Sequence, residues 1–196
     1  MTIFDYGAGN LHSLAKALAM PGVTVACETN PIAALDTDVL VLPGVGNFSA
    51  AAARLGEARV AMRAAILSGL PTLGVCLGMQ LLFDESDEGA GEGLGVIAGR
   101  VTRLQASRVP QIGWNAIEEP RGPLFKTSDL SMAYYANGFA CRPRDTDSVV
   151  AWTTHEADRF PAAVRVGRTL GVQFHPEKSS AAGVRFVRAF LEEVTA

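Results

Sequence analysis

Apolar residues in this chain follow two rhythms that alternate through its first half. Short apolar runs, Thr2 to Tyr6, Val23 to Cys27, Val39 to Leu42 and Thr72 to Val75, predict strands; between them Leu11 to Ala19 and Arg59 to Ser68 carry helical spacing. This is the βαβ order of a parallel sheet. Val39-Leu40-Val41-Leu42 lacks polar alternation, which predicts a central strand covered on both faces, and Pro43-Gly44 ends it. After Phe83 an acidic, Gly-rich stretch (84–93) leads into shorter runs, Gly95 to Ile97 and Arg100 to Leu104, predicted to pair antiparallel. Ser131 to Tyr135, Val149 to Thr153, Ala162 to Val166 and Leu170 to Phe174 continue that pattern. An amphipathic helix follows from about Ala181 to Val194. The fold class expected is α/β with a mixed, largely parallel central sheet and an antiparallel part in the C-terminal half. With no internal repeat or long Ser/Gly linker, residues 1–196 are expected to form a single domain.

Composition narrows the function classes. Hydrophobic residues at 48% against 19% charged, with 20 glycines and 10 prolines, belong to a compact chain with many tight turns. A net charge of -3, without a Lys/Arg stripe interleaved with aromatics, argues against nucleic acid as a partner. The three cysteines, Cys27, Cys76 and Cys141, are an odd number without a CxxC pair, so neither a disulfide framework nor a zinc site is expected. No apolar run reaches the roughly 20 residues a membrane span requires, and the first strand leaves no room for a secretory leader. A cytoplasmic setting is expected, with no membrane association.

The sharpest local feature is Gly74-Val75-Cys76-Leu77-Gly78-Met79-Gln80, a buried strand turning into a helix with cysteine at the corner. Such an elbow pushes the side chain into solvent at the carboxyl end of the sheet, and the flanking glycines avoid a Cβ collision with crowded backbone. The starting helix adds N–H groups and a positive dipole end that favour a thiolate and an oxyanion. A free cysteine ordinarily packs as a small apolar core residue, and Cys27 and Cys141 keep that reading.

A thiol nucleophile needs a base. Gly171-Val172-Gln173-Phe174-His175-Pro176-Glu177 supplies one just past an apolar strand, with a carboxylate two residues on to orient the ring. A surface His-Pro-Glu by itself is an ordinary turn; its value lies in the pairing with Cys76. His12 and His155 are the competing bases and are expected on solvated faces. Leu42-Pro43-Gly44-Val45-Gly46-Asn47-Phe48 also follows a central strand, and its glycines would let backbone N–H groups aim at a neighbouring site, or simply end the strand.

Together the Gly-x-Cys-x-Gly elbow, the Pro-Gly-x-Gly loop and the His-Pro-Glu turn resemble those of the class I glutamine amidotransferases. Within that family, Asp5 to Leu11, Leu42 to Phe48, Cys76 to Gln80, Val109 to Asn115 (Val-Pro-Gln-Ile-Gly-Trp-Asn) and Gln173 to Ser179 are similar to the glutaminase subunits of imidazole glycerol phosphate synthases. The resemblance implies a flavodoxin-like three-layer fold and hydrolysis of L-glutamine to glutamate and ammonia through a thioester. It makes Cys76, His175 and Glu177 the catalytic residues, with Val45 and Leu77 as oxyanion donors beside Gly44 and Gly46. It places Gln80, Glu88, Asn137, Gly138 and Phe139 against the substrate, and Asn10, Trp114 and Lys178 toward a partner, a (β/α)8-barrel cyclase/synthase subunit that receives the ammonia in a heterodimer of histidine biosynthesis. It implies no cofactor and no metal. One stretch departs from the family: Tyr134-Tyr135-Ala136-Asn137-Gly138-Phe139 stands where a Tyr-x-x-His-(Ser/Thr)-Tyr pattern is common. The competing functions are the glutaminase subunit of another amidotransferase, serving pyridoxal phosphate, anthranilate or purine synthesis, and a non-enzymatic flavodoxin-like binding protein.

Overall fold

The computed structural model describes residues 1–7 and 11–195. In chain order its strands are β1 (Thr2–Phe4), β2 (Ala26–Glu28), β3 (Leu40–Leu42), β4 (Thr72–Val75), β5 (Glu85–Ser86), β6 (Gly99–Arg103), β7 (Gln111–Ala116), β8 (Met132–Asn137), β9 (Phe139–Pro143), β10 (Val149–His155), β11 (Asp158–Val166) and β12 (Thr169–Val172). Its helices are α1 (His12–Leu18), α2 (Phe48–Leu55), α3 (Ala58–Leu67), α4 (Leu77–Gln80), α5 (Pro123–Ser128) and α6 (Ser180–Thr195).

The main sheet runs β10-β11-β12-β4-β3-β1-β2, parallel from β12 through β2 and antiparallel at β10-β11-β12. The unbroken apolar run of β3 has a direct cause in the layering. Val39 and Val41 pack into the core under α1 and α6, beside Leu14, Leu18, Phe186 and Phe190. Leu40 and Leu42 face the opposite layer, beside Leu55, Met62 and Ile66 of α2 and α3. Each residue of a strand buried on both faces needs an apolar side chain, because alternation only exchanges one core for the other.

Four expectations need correction. The run 95–97 is not a strand: the amides of Leu94, Gly95 and Ile97 are spent on the carbonyls of Leu81, Phe83 and Leu82 and not on a ladder. The run predicted at 170–174 does not belong only to the antiparallel part, since β12 pairs in parallel with β4 along its other edge. This register brings the segment carrying His175 alongside the one carrying Cys76. Cys27 is not a core residue: β2 is an edge strand and exposes it, whereas Cys141 is buried as expected. Finally, α2, α5, β7 and β9 were not predicted. For α2 a signal was present, since Asn47 caps it by accepting from the Ala50 N–H at 3.2 Å, ahead of an alanine run.

Candidate active site

Three parallel strands end side by side, and their extensions build the site. The pairing Leu42↔Gly74↔Gly171 aligns β3, β4 and β12, so Pro43-Gly44, Cys76 and Gln173-Phe174-His175 emerge together at the carboxyl edge, where ligand sites of parallel sheets gather. The Cys76 N–H donates to the Val172 carbonyl at 2.7 Å, carrying the ladder one residue past β4.

At Cys76 the chain turns sharply, with φ 46° and ψ -102°, a region L side chains rarely adopt and which costs about 1–3 kcal/mol. The glycine requirement read from the sequence is physical here. A Cβ on Gly78 would lie 2.0 Å from the Leu42 carbonyl oxygen, and one on Gly74 would lie 2.7 Å from that of Gly78. The elbow therefore forms only where strand, turn and neighbouring strand approach backbone to backbone.

The expectation that the elbow pushes sulfur into solvent is overturned. Cys76 is only 6% exposed, and the Ala136 carbonyl of β8 stands 4.0 Å from Sγ. The helix beyond the corner is also short, the single turn α4.

His175 and Glu177 meet across one proline: imidazole Nδ1 lies 2.8 Å from Glu177 Oε1, with both side chains buried. The Cys76 sulfur acts electrostatically on the same ring. Burial by itself would lower the imidazole pKa, but the hydrogen bonds and negative charges of Cys76 and Glu177 outweigh it, and the group is raised from 6.5 to about 9. Ser179 fixes the turn, donating from its hydroxyl to the His175 carbonyl at 2.6 Å while accepting from the Tyr134 N–H at 2.9 Å; the His175 N–H donates to the Tyr134 carbonyl. The competing histidines stand elsewhere. His12 is exposed, and half-buried His155 bonds the Arg108 carbonyl through Nε2. Burial holds the Cys141 thiol well above its ordinary pKa, with the Cys76 charge adding and Arg142 opposing.

The loop after β3 also faces this site. A Cβ on Gly44 would lie 3.0 Å from His175 Cε1, so the glycine lets the loop pass the imidazole closely, and Gly46 takes φ 115°. Val45 lies between them in the chain, and the Leu77 N–H opens α4 and so lacks an intrahelical partner. Tyr6, to which the sequence assigned no role, is buried beneath the loop and donates its hydroxyl to the Pro43 carbonyl.

The residues expected around the substrate divide. Gln80 is buried, and its Nε2 donates to the Phe139 carbonyl at 3.2 Å and to Gln173 Oε1 at 3.3 Å. Asn137, buried beside Gly138, donates from Nδ2 to the same Phe139 carbonyl at 3.0 Å, and its Oδ1 has no protein partner. Glu88 accepts from the Phe48 N–H at 2.8 Å at the start of α2, away from this cluster of amides. Gln173, unassigned by the sequence reading, is fully buried and places Nε2 3.5 Å from the sulfur. Its signal was its place two residues before His175, on the same side of the strand.

Of the residues expected at a partner surface, Trp114 is 52% exposed and packs edge-on against Tyr134, over whose ring the exposed Lys178 sets its amine at 5.8 Å. Ile112 and Met132 extend the same outer face of β7–β8. Asn10 lies outside the described residues. Among the described residues no helix is long and apolar enough to cross a membrane, and no three His, Cys, Asp or Glu side chains gather as a metal site.

Comparison with known proteins places this geometry in a family. The family described as "Glutamine amidotransferase class-I" matches residues 2–194. Among similar curated proteins are those named "Imidazole glycerol phosphate synthase subunit HisH" from Symbiobacterium thermophilum (42% identical, covering 95% of this chain and 91% of that one), Synechococcus sp. strain JA-3-3Ab (38%, 99% and 94%) and Corynebacterium glutamicum (38%, 99% and 98%). Solved structures share the fold at lower identity. One titled "Crystal structure of glutamine amidotransferase" has a TM-score of 0.74 at 21% identity, covering 100% of this chain and 98% of that one. "Structure of PurLQS from Thermotoga maritima" has 0.72 at 19%, covering 98% and 97%.

Proposed function

We propose, because this chain belongs to the class-I glutamine amidotransferase family, that it works as the glutaminase subunit of an imidazole glycerol phosphate synthase, with Cys76, His175 and Glu177 as its catalytic residues. The observation that carries the residue assignment is the meeting of a strained cysteine elbow with a buried imidazole that is itself held 2.8 Å from a buried carboxylate. The match over residues 2–194 supports a single domain over 1–196.

The geometry yields a balanced reaction. With its pKa raised to about 9, the imidazole is charged at neutral pH and is the proton source of the reaction, in which the sulfur acts as the thiolate. The sulfur attacks the carboxamide carbon of L-glutamine, and the resulting oxyanion is received by the Val45 and Leu77 amides, with Gly44 and Gly46 giving the loop freedom to aim them. His175 gives its proton to the departing nitrogen, releasing ammonia and leaving a thioester. The now neutral imidazole takes a proton from water as it attacks, and collapse returns glutamate, thiolate and imidazolium. Glu177 fixes the ring orientation and supports its charged form throughout. For the amino-acid end of glutamine the reading assigns Gln80 and Glu88, with backbone at Asn137, Gly138 and Phe139. The oxygens not engaged by the bonds described above, Gln80 Oε1 and Glu88 Oε1, are acceptors suited to an α-ammonium group.

Ammonia released into bulk water would be protonated and lost as a nucleophile, so the product has to pass directly to a synthase. The reading therefore includes a heterodimer with a (β/α)8-barrel cyclase/synthase subunit, a lyase-type complex of histidine biosynthesis. The apolar strip Ile112-Trp114-Met132, with Lys178 beside it on Tyr134, supports a docking face on the strand pair whose Ala136 carbonyl approaches the nucleophile. Neither nucleic acid nor a membrane has a part in it. A thiol nucleophile must stay reduced, which fits a cytoplasmic setting. The test is glutamate release with and without the barrel subunit, in the wild type and in Cys76→Ala. Abolished turnover in the variant supports the assignment, and persistent turnover would sink it. A copurifying barrel from another pathway would reassign the partner.

A further inference from the structure

We infer that Gln173 is a further catalytic residue, donating a side-chain N–H to the Cys76 sulfur to hold it as a thiolate, with the direction of that hydrogen bond imposed from the Phe139 carbonyl through Gln80. The inference rests on Cys76 being the nucleophile.

Placement comes first. The Gln173 N–H still bonds the Ala162 carbonyl, so the chain remains extended past β12 and residues 173 and 175 project to the same side, with Gln173 reaching the sulfur and His175 electrostatically coupled to it. Gln80 stands one helical turn beyond Cys76, its N–H bonded to the Cys76 carbonyl at 3.1 Å. The two carboxamides therefore meet beside the elbow in a region closed to water, Gln173 fully and Gln80 almost fully buried.

Polarity follows from an atom that has no choice. A carbonyl oxygen only accepts, and that of Phe139 takes hydrogen bonds from Gln80 Nε2 at 3.2 Å and Asn137 Nδ2 at 3.0 Å. Gln80 must therefore turn its nitrogen inward, and that nitrogen also donates to Gln173 Oε1 at 3.3 Å. With its oxygen engaged, Gln173 has only its nitrogen to present to Sγ, 3.5 Å away. Beside a thiolate the flipped amide would set nitrogen against nitrogen and oxygen against anionic sulfur, replacing two attractions with two repulsions.

A donor at this place discriminates between protonation states. The neutral thiol needs an acceptor for its own proton and gains little from another donor, whereas the thiolate gains a charge-assisted hydrogen bond. The same N–H meets the sulfur again when the thioester collapses and thiolate is the leaving group. Gln173 thereby supports both halves of the reaction without exchanging a proton.

The test is alkylation of Cys76 by iodoacetamide in a Cys27→Ser background, since the exposed Cys27 would otherwise consume reagent. Gln173→Met should react about tenfold more slowly at pH 7, the loss expected for one hydrogen bond to a charged group, with its rate–pH curve displaced to higher pH. Gln173→Glu, similar in shape but with a carboxylate facing the sulfur, should be slower still. Gln80→Met does not touch the sulfur yet should slow alkylation by a smaller factor, because it releases the amide that orients Gln173. Parental rates in Gln173→Met and Gln80→Met, with a parental circular dichroism spectrum, would overturn the inference. If Gln173→Met does not fold, parental rates in Gln80→Met and Gln173→Glu overturn it equally. Failure of the nucleophile assignment is read separately, as glutamate release that survives Cys76→Ala.

Discussion

Nδ1 of His175 lies 2.8 Å from Oε1 of Glu177, although only Pro176 separates the two residues along the chain. Both groups are buried, so their attraction is little weakened by solvent, and the carboxylate governs which ring nitrogen carries a proton. Glu177→Gln keeps the shape and removes the charge. Glutamate release should fall about a hundredfold, within the range of general acid–base contributions, and a steady-state assay across pH would measure it.

His175, buried but held by Cys76 and Glu177, makes stability depend on pH in a definite direction. The folded-state pKa of His175, about 9, exceeds the ordinary 6.5, so the folded state binds the proton more tightly. This contribution is complete below pH 6.5 and is lost as pH rises through about 9. The thermal midpoint should decline over that window, and Glu177→Gln should flatten the decline in a series of melts at different pH values.

Ser179 joins the catalytic turn to β8 by bonding the His175 carbonyl and the Tyr134 N–H. Ser179→Ala leaves that buried N–H without an acceptor, a loss of about 1–3 kcal/mol. Urea unfolding should register the cost. Glutamate release should fall as well, with kcat more affected than KM, because the displaced group is the base and not a substrate contact.

Glycines at two positions should respond oppositely. Gly78→Ala drives a methyl group to 2.0 Å from the Leu42 carbonyl oxygen, backbone that cannot yield, and should cost about 3 kcal/mol or more. At Gly138 the nearest atom to an added Cβ is Val109 Cγ1 at 3.7 Å, so Gly138→Ser should change stability by less than about 0.5 kcal/mol. Denaturant midpoints of the two variants, measured together, check the contrast.

Trp114 is half exposed on β7, paired across the two-stranded sheet with Tyr134. Trp114→Ala should weaken binding to the barrel subunit by about 2 kcal/mol or more, as truncating an aromatic interface anchor does, while shifting the thermal midpoint little. Titration calorimetry against the purified barrel subunit reads the first and a melt the second.

Local chemistry was legible in the chain. A corner cysteine between two glycines, a Pro-Gly-x-Gly after an apolar strand and a His-Pro-Glu turn each bear their signature within seven residues, and β4 was predicted to the residue. Elements without a local signature were missed or misread. The strand β7 exposes Ile112 and Trp114 and so breaks the apolar-inward rule, and the run 95–97 is apolar yet spends its amides on a turn. Cys27 has the composition of a core position but sits on an edge strand, which only sheet order reveals.

Sequence alone determined which side chains could perform the chemistry and that each follows a strand, because residue type and turn propensity are properties of neighbours in the chain. Tertiary structure decided that β12 lies beside β4, so that residues 76 and 175 share one edge, and that the sulfur is buried with the β8 carbonyl of Ala136 beside it instead of standing in solvent. It also decided that Gln173 faces the thiol with nitrogen and not oxygen. These are relations between segments some 60 to 100 residues apart, settled by strand pairing and by which buried polar atoms find partners, and no local pattern encodes them.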